Sequence, residues 1–220
     1  MKARTALVDL DGTLTDPADG IIGGFQFALR SLGEAVPEPT SLTWVIGPPL
    51  RQAFPRLLAD PSNERVEAAV AAYRHYYSER GLYDATVYAG IPDALQKLRD
   101  DGFLLLVCTV KPRHFAGPVI EHFGLASHFD GVYGAELDGR FEDKGDLMEH
   151  IIAERNLSPA DMLMIGDRGI DMIAARRNAI SGIGVTWGYG TADELREGGA
   201  DHICAAPHEL DAAVTAVQQG

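Results

Sequence analysis

The sequence predicts an α/β fold in which helices wind both faces of a parallel sheet and an all-helical domain is inserted after the first strand. Three observations lead there. The chain opens on a short apolar run, "RTALVDL", that stops at aspartates. From Ala89 onward, apolar runs of strand length alternate with stretches of helical periodicity, the pattern of a parallel sheet with crossover helices. Between the two, from Gly20 to Arg80, the pattern is helical throughout.

The first run reads as a buried strand ending at Asp9. "GIIGGFQFALRSLGE" then places Ile21, Phe25, Ala28, Leu29 and Leu32 at helical spacing. "TSLTWVI" and the loop signal "GPPL" follow, then "LRQAFPRLLAD", a short helix disturbed by Pro55. "PSNERVEAAVAAYRHYYSERG" is a longer helix closed by Gly81. Beyond it, "IPDALQKLRDDG" is a helix with Pro92 in its first turn. "FLLLVCT" is a strand covered on both faces, "HFAGPVIEHFG" a helix and "FDGVYG" a weak strand. "KGDLMEHIIAERN", "DMLMIGD", "GIDMIAARRNA", "GIGVTW", "TADELREGG", "HIC" and "HELDAAVTAVQQ" continue the alternation. The expected division is a core of residues 1–14 and 86–220 and a helical insert of residues 15–85.

Composition narrows the function. The 220 residues are 46% hydrophobic, enough for a packed core, and carry a formal charge of −13. Such a surface repels nucleic acid and anionic lipid, so neither is an expected partner. No apolar run reaches the ~18 residues of a membrane span, and the N-terminus lacks a signal peptide's apolar region, which predicts a cytoplasmic protein. Cys108 and Cys204 have no ligand spacing and read as small core residues. An anionic substrate would need a metal cation and a few well-placed basic side chains to offset the acidic field.

Four polar clusters share one kind of position, the point where an apolar strand stops or the next helix starts. They are Asp9/Asp11/Thr13, Thr109/Lys111, Lys144, and Asp167/Asp171. In a parallel sheet the C-terminal strand ends lie along one edge, where ligands bind, so clusters distant in sequence can converge. Their chemistry is complementary. Asp9 and Asp167 offer hard oxygen ligands to Mg²⁺, and Lys144 supplies a cation. Thr109 and the backbone amides around Gly12 offer hydrogen bonds to phosphate oxygens. Phosphoryl transfer needs mainly positioning and charge neutralisation. Asp9 can attack phosphorus covalently, with Asp11 as general acid and base. An EF-hand reading of "DLDG" fails, because counting from Asp9 puts Leu14 and Gly20 where Gly and Glu are required. Each residue alone has a plainer reading: Lys144 a surface lysine, Asp167 a helix N-cap, Asp171 a charge favouring a helix N-terminus, Tyr73, Tyr76 and Tyr77 packing residues. "GPPL" reads either as a helix connector or as a specificity loop with Arg51 just beyond it.

Taken together, "DLDGTLTD", "VCTVK", Lys144 and "GDRGID" resemble, in order, the four motifs of the haloacid dehalogenase superfamily. The insert resembles the helical cap of the phosphoglycolate phosphatase-like branch, and "DGTLTDPADGI", "GPPL" and, in the core, "GVTWGYGTADEL" are similar in style to that branch. The resemblance implies a Rossmann-like core, Asp9 as nucleophile and Asp11 as acid/base. It also implies Thr109 and Lys144 on phosphate, with Lys111 an alternative cation, and Asp171 as a supporting carboxylate. Mg²⁺ is expected on Asp9, the Asp11 carbonyl and Asp167. The implied activity is Mg²⁺-dependent hydrolysis of a small phosphorylated metabolite, phosphoglycolate first, with a cap that closes over the site. A phosphomutase, 5'-nucleotidase or pyrophosphatase of the same superfamily is the alternative. A dehalogenase has no need of Asp11 and Asp167, and a phosphoaccepting signalling switch would be half this length without the insert.

Overall fold

The computed structural model describes residues 4–219, so residues 1–3 of the expected core lie outside the described residues. The chain divides into two compact units, Pro17–Thr86 and the remainder.

The larger unit begins with β1 (Thr5–Val8) and a two-residue strand β2 (Thr15–Asp16). The smaller unit holds α1 (Ala18–Ser31), α2 (Leu50–Ala53) and α3 (Asn63–Tyr76), and the chain leaves it through β3 (Thr86–Val87). Then come α4 (Ile91–Asp100), β4 (Leu104–Pro112), α5 (Arg113–His122), β5 (Gly131–Ala135), α6 (Lys144–Arg155), β6 (Met162–Gly166), α7 (Gly169–Arg177), β7 (Ser181–Val185), α8 (Ala192–Gly198), β8 (His202–Cys204) and α9 (Leu210–Gln219). Caps follow local chemistry. Thr191 opens α8 by accepting from Glu194 N, Asp143 opens α6 by accepting from Asp146 N, and Asn156 closes α6 in the left-handed region.

Six strands form one sheet in the order β5-β4-β1-β6-β7-β8, and each neighbouring pair is parallel. β1 is central. Chain progress goes to one side through β4 and β5, then to the other through β6, β7 and β8, so the switch point lies at the end of β1. Val8 is level with Val107 on one side and Ile165 on the other. Asp9, Thr109 and Asp167, each one or two residues further on, therefore reach the same edge. β1 and β6 are buried along their whole length, as strands covered on both faces must be. Leu7, Leu106 and Met164 of the strands share one buried apolar cluster with Met148 and Ile151 of α6 and Met172 of α7. Cys108 and Cys204 are free and buried.

The boundaries fall at 16/17 and 86/87, two residues and one residue beyond those expected. Thr15 and Asp16 stay with the sheet unit: Gly12 N donates to Thr15 O at 2.8 Å, and Tyr189 Oη donates to Asp16. The smaller unit is less helical than its sequence pattern. Residues 39–41, 43–45 and 54–56 are 3₁₀ turns, with Pro39 the first residue of one and Pro55 the second residue of another. Its interior is apolar, with the Phe25 ring 4.6 Å from Phe54 and 5.2 Å from Tyr73, and Tyr73 stacked on Tyr77 at 5.5 Å. The tyrosines are packing residues there. No helix among the described residues is long and apolar enough to cross a membrane.

Candidate active site

Among the described residues, the buried charged side chains are Asp9, Asp11, Lys111, Lys144, Asp167 and Asp171, and all six belong to one constellation at the sheet's C-terminal edge. Burying a charge is costly unless it is paired, so the pairing is informative. Lys144, on the first turn of α6, lies 2.9 Å from Asp9 Oδ1 and hydrogen-bonds Asp171. Lys111 donates to both oxygens of Asp11 at 2.8 Å. Asp167 accepts from Thr13 Oγ1 at 3.2 Å and from Tyr189 N at 2.8 Å. The second Asp171 oxygen accepts from Arg168 N at 3.0 Å, closing the first turn of α7. Asp171 thus has both its structural role and a place in the cluster. Asp167 is not the N-cap of α7; Arg168 is. Lys144 is only 4% exposed, which removes its surface reading.

Thr109 is buried at the end of the regular β4/β5 pairing, and its Oγ1 accepts from Lys111 N at 3.2 Å. Gly12 has φ of +88°, and a Cβ there would stand 2.2 Å from an Asp167 oxygen, so only glycine lets this turn lie against the carboxylate. Arg51 belongs to the smaller unit, where its guanidinium forks onto Glu67 at 2.5 and 2.9 Å. Its charge is matched by a carboxylate on a neighbouring helix.

Electrostatics single out the carboxylate triad. Oxygens of Asp9, Asp167 and Asp171 lie within 4.8 Å of one another, and all three residues are buried. Fully ionised, the three carboxylates would carry two negative charges more than the single Lys144 ammonium offsets. Burial first, then Asp171 and Asp9, push the Asp167 carboxyl up to about 8. Burial raises Asp171 to about 6 against the pull of Lys144. Asp11 is raised by burial, with Lys111 opposing. Burial pulls Lys144 down, but Asp171 and Asp9 more than reverse that and hold it above its usual range. Asp9 Oδ1 is fully buried, yet no donor is aligned to hydrogen-bond it, because the Lys144 ammonium approaches off line. An orphaned carboxylate oxygen and two neighbouring carboxylates that are costly to ionise together fit a hard divalent cation such as Mg²⁺.

The haloacid dehalogenase-like hydrolase family matches residues 6–185, which span β1 to β7 and every member of this constellation. The chain belongs to that family. Within it, a 5'-nucleotidase from Pseudomonas aeruginosa is 43% identical over 93% of this chain and 92% of its own. The tyrosine-protein kinase PtkA from Mycobacterium tuberculosis is 39% identical over 86% of this chain and 64% of its own. A phosphoglycolate phosphatase from Psychrobacter arcticus is 28% identical over 90% and 89%. The crystal structure of a predicted phosphatase from Clostridium acetobutylicum superposes with a TM-score of 0.92 at 37% identity, covering 97% of this chain and 99% of that one. In this haloacid dehalogenase-like hydrolase, residues that the strand-end motifs did not single out also hydrogen-bond to these segments. Trp187 Nε1 donates to Thr13 O at 3.0 Å, and Tyr189 joins Asp167 to Asp16. Their signal was present: "TWGYG" follows β7 as the other clusters follow their strands.

Proposed function

We propose that the protein is a Mg²⁺-dependent phosphomonoesterase that hydrolyses a small phosphorylated metabolite through an aspartyl-phosphate on Asp9. The observation that carries this reading is the buried Asp9 carboxylate at the switch point, set between Lys144 and Asp167, with a second carboxylate two residues on that has its own lysine. Asp9 and Asp167 would hold Mg²⁺, with the Asp11 carbonyl as third protein ligand, and the ion would offset the repulsion between the carboxylates and a phosphate dianion.

The chain's own residues perform the rest. Lys144 and the Thr109 hydroxyl orient the phosphate oxygens so that phosphorus faces the Asp9 carboxylate. Asp9 forms a bond to phosphorus as the ester oxygen leaves, and the Asp11 carboxyl gives that oxygen its proton. Asp11, now ionised, takes a proton from water, which attacks phosphorus, releases inorganic phosphate and regenerates Asp9. Asp171 keeps Lys144 in place. The 43% identity to a 5'-nucleotidase puts nucleoside 5'-monophosphates ahead of phosphoglycolate as the first substrate class.

The test is phosphate release from a panel of nucleoside monophosphates, phosphoglycolate, sugar phosphates and pyrophosphate, with Mg²⁺ and with EDTA. Multiple turnovers that EDTA stops and Mg²⁺ restores are expected. Undiminished turnover after chelation would remove the metal. A second reading, transfer to a protein tyrosine, is favoured by the PtkA relative alone. ATP with a tyrosine peptide belongs in the same panel, and labelled peptide without free phosphate would favour that reading.

A further inference from the structure

The loop after β7, residues 187–190, is bound to the site more closely than a simple connection requires. Trp187 Nε1 donates to Thr13 O at 3.0 Å. Tyr189 N donates to Asp167 Oδ2 at 2.8 Å, and the hydroxyl of the same residue donates to the Asp16 carboxylate. The two glycines that flank Tyr189 let the loop lie directly against the site, closer than any side chain would permit. A Cβ on Gly188 would stand 2.2 Å from Gly12 O and 2.4 Å from Asp167 Oδ2, and one on Gly190 would stand 1.9 Å from Asp167 O.

The other end of this strap reaches both linkers. Asp16 is the last residue of the sheet unit before the chain departs, and Val87 is the first after it returns. Tyr88, next along, donates its N–H to Leu14 O at 3.1 Å, and its side chain shares a hydrogen bond with Tyr189. Burial and the nearby carboxylates push both phenols above their usual range, so the hydroxyls remain protonated.

We infer that Tyr189 is a positioning residue that ties the two linkers to Asp167, so that the metal-binding setting of that carboxylate depends on the Asp16 anchor. The inference rests on the reading of Asp167 as a metal ligand. Residues that hold a ligand's outer side commonly alter metal affinity by ~10–100-fold. The phenol acts on Asp167 through its own backbone amide, so the lower end of that range applies.

The experiment is calorimetric titration of metal-free protein with Mg²⁺, alongside thermal melts without metal. Y189F should weaken Mg²⁺ binding ~10-fold, while the metal-free melt shifts little. D16A should match Y189F, D16N, which keeps an acceptor, should stay close to the parent, and Y189F/D16A should be no worse than either single change. Metal affinity unchanged in Y189F and D16A would overturn the inference, as would additive losses or a fall in the melt with affinity intact. Should Y189F not fold, the D16A and D16N comparison decides alone. Failure of the parent protein to bind Mg²⁺ would be a different result, striking the metal reading itself.

Discussion

The two units of this protein bury different things. In the sheet unit, six charged side chains are sealed beneath the C-terminal edge, three of them carboxylates with oxygens within 4.8 Å of each other. In the helical unit, among the described residues, the buried set is Phe25, Leu29, Ile46, Phe54, Val70, Tyr73 and similar residues, with no charged member. The Arg51–Glu67 pair is partly exposed, and in the Arg65–Glu34 pair the glutamate is largely covered while the arginine stays about a third exposed. Folding alone accounts for the second pattern, because burying apolar surface is favourable at ~25 cal/mol per Å². It does not account for the first, in which desolvation is set against stability and offset only in part by pairing. A region that departs from the folding optimum in this way is organised for chemistry.

The contrast predicts that changes at the sheet edge remove rate and changes in the helical unit remove stability. Asp9→Asn has the largest expected effect. The amide is nearly isosteric and a very poor nucleophile, so kcat should fall on the order of 10⁴–10⁶-fold with the fold intact by circular dichroism. Substantial turnover would reduce Asp9 to a ligand. Phe25→Ala should do the reverse. It empties the centre of the Phe25, Phe54 and Tyr73 cluster and should cost about 3–5 kcal/mol in chemical denaturation. If its stability loss were small and its kcat loss large, the division of labour would not hold.

A smaller effect concerns pH. Asp167 is pushed from 3.8 to about 8 in the metal-free fold, so the unfolded chain gives up this proton more readily than the folded one. Stability from this group is full below the unfolded value and is lost as pH rises through about 8. Metal-free Tm should therefore drop between pH 6 and pH 9 by roughly a few degrees. Saturating Mg²⁺ should raise Tm more at the alkaline end, where no proton must be displaced. A Mg²⁺ effect that shrinks with rising pH would contradict the assignment. Arg51→Ala should matter least. A half-exposed pair contributes ~0.2–1 kcal/mol, or about 1–4 °C. A KM increase confined to the preferred anionic substrate and absent with p-nitrophenyl phosphate would give the helical unit a charge-recognition role and blur the contrast.

Much of the sheet unit was legible in the sequence because a parallel sheet turns four separate strand-end motifs into neighbours. Asp9, Thr109 and Asp167 each follow an apolar run, and the register of β1 with β4 and β6 does the rest. The partner of Lys111 was not legible. It depends on an irregularity between Thr109 and Pro112, where β4 holds two more residues than β5, and the lysine leaves that bulge towards Asp11. Strand periodicity carries no trace of it. The strands β2 and β3, two residues each, are too short to show a period. The helical unit misled in two ways. Stretches of apparent helix include 3₁₀ turns, and Arg51, read beside a candidate specificity loop, is paired with Glu67, 16 residues away on another helix.

Rapid-quench labelling of Asp11→Asn tests the central claim most directly. Asp11 is proposed to protonate the leaving group and later to activate water, so its loss should slow turnover by ~10²–10⁴-fold, less in the first step for an aryl phosphate that leaves unaided. With labelled aryl phosphate and Mg²⁺, the expected result is a burst of phenol and protein that carries acid-stable, hydroxylamine-sensitive label on Asp9. A fast burst of phenol with no label on the protein would contradict the two-step account.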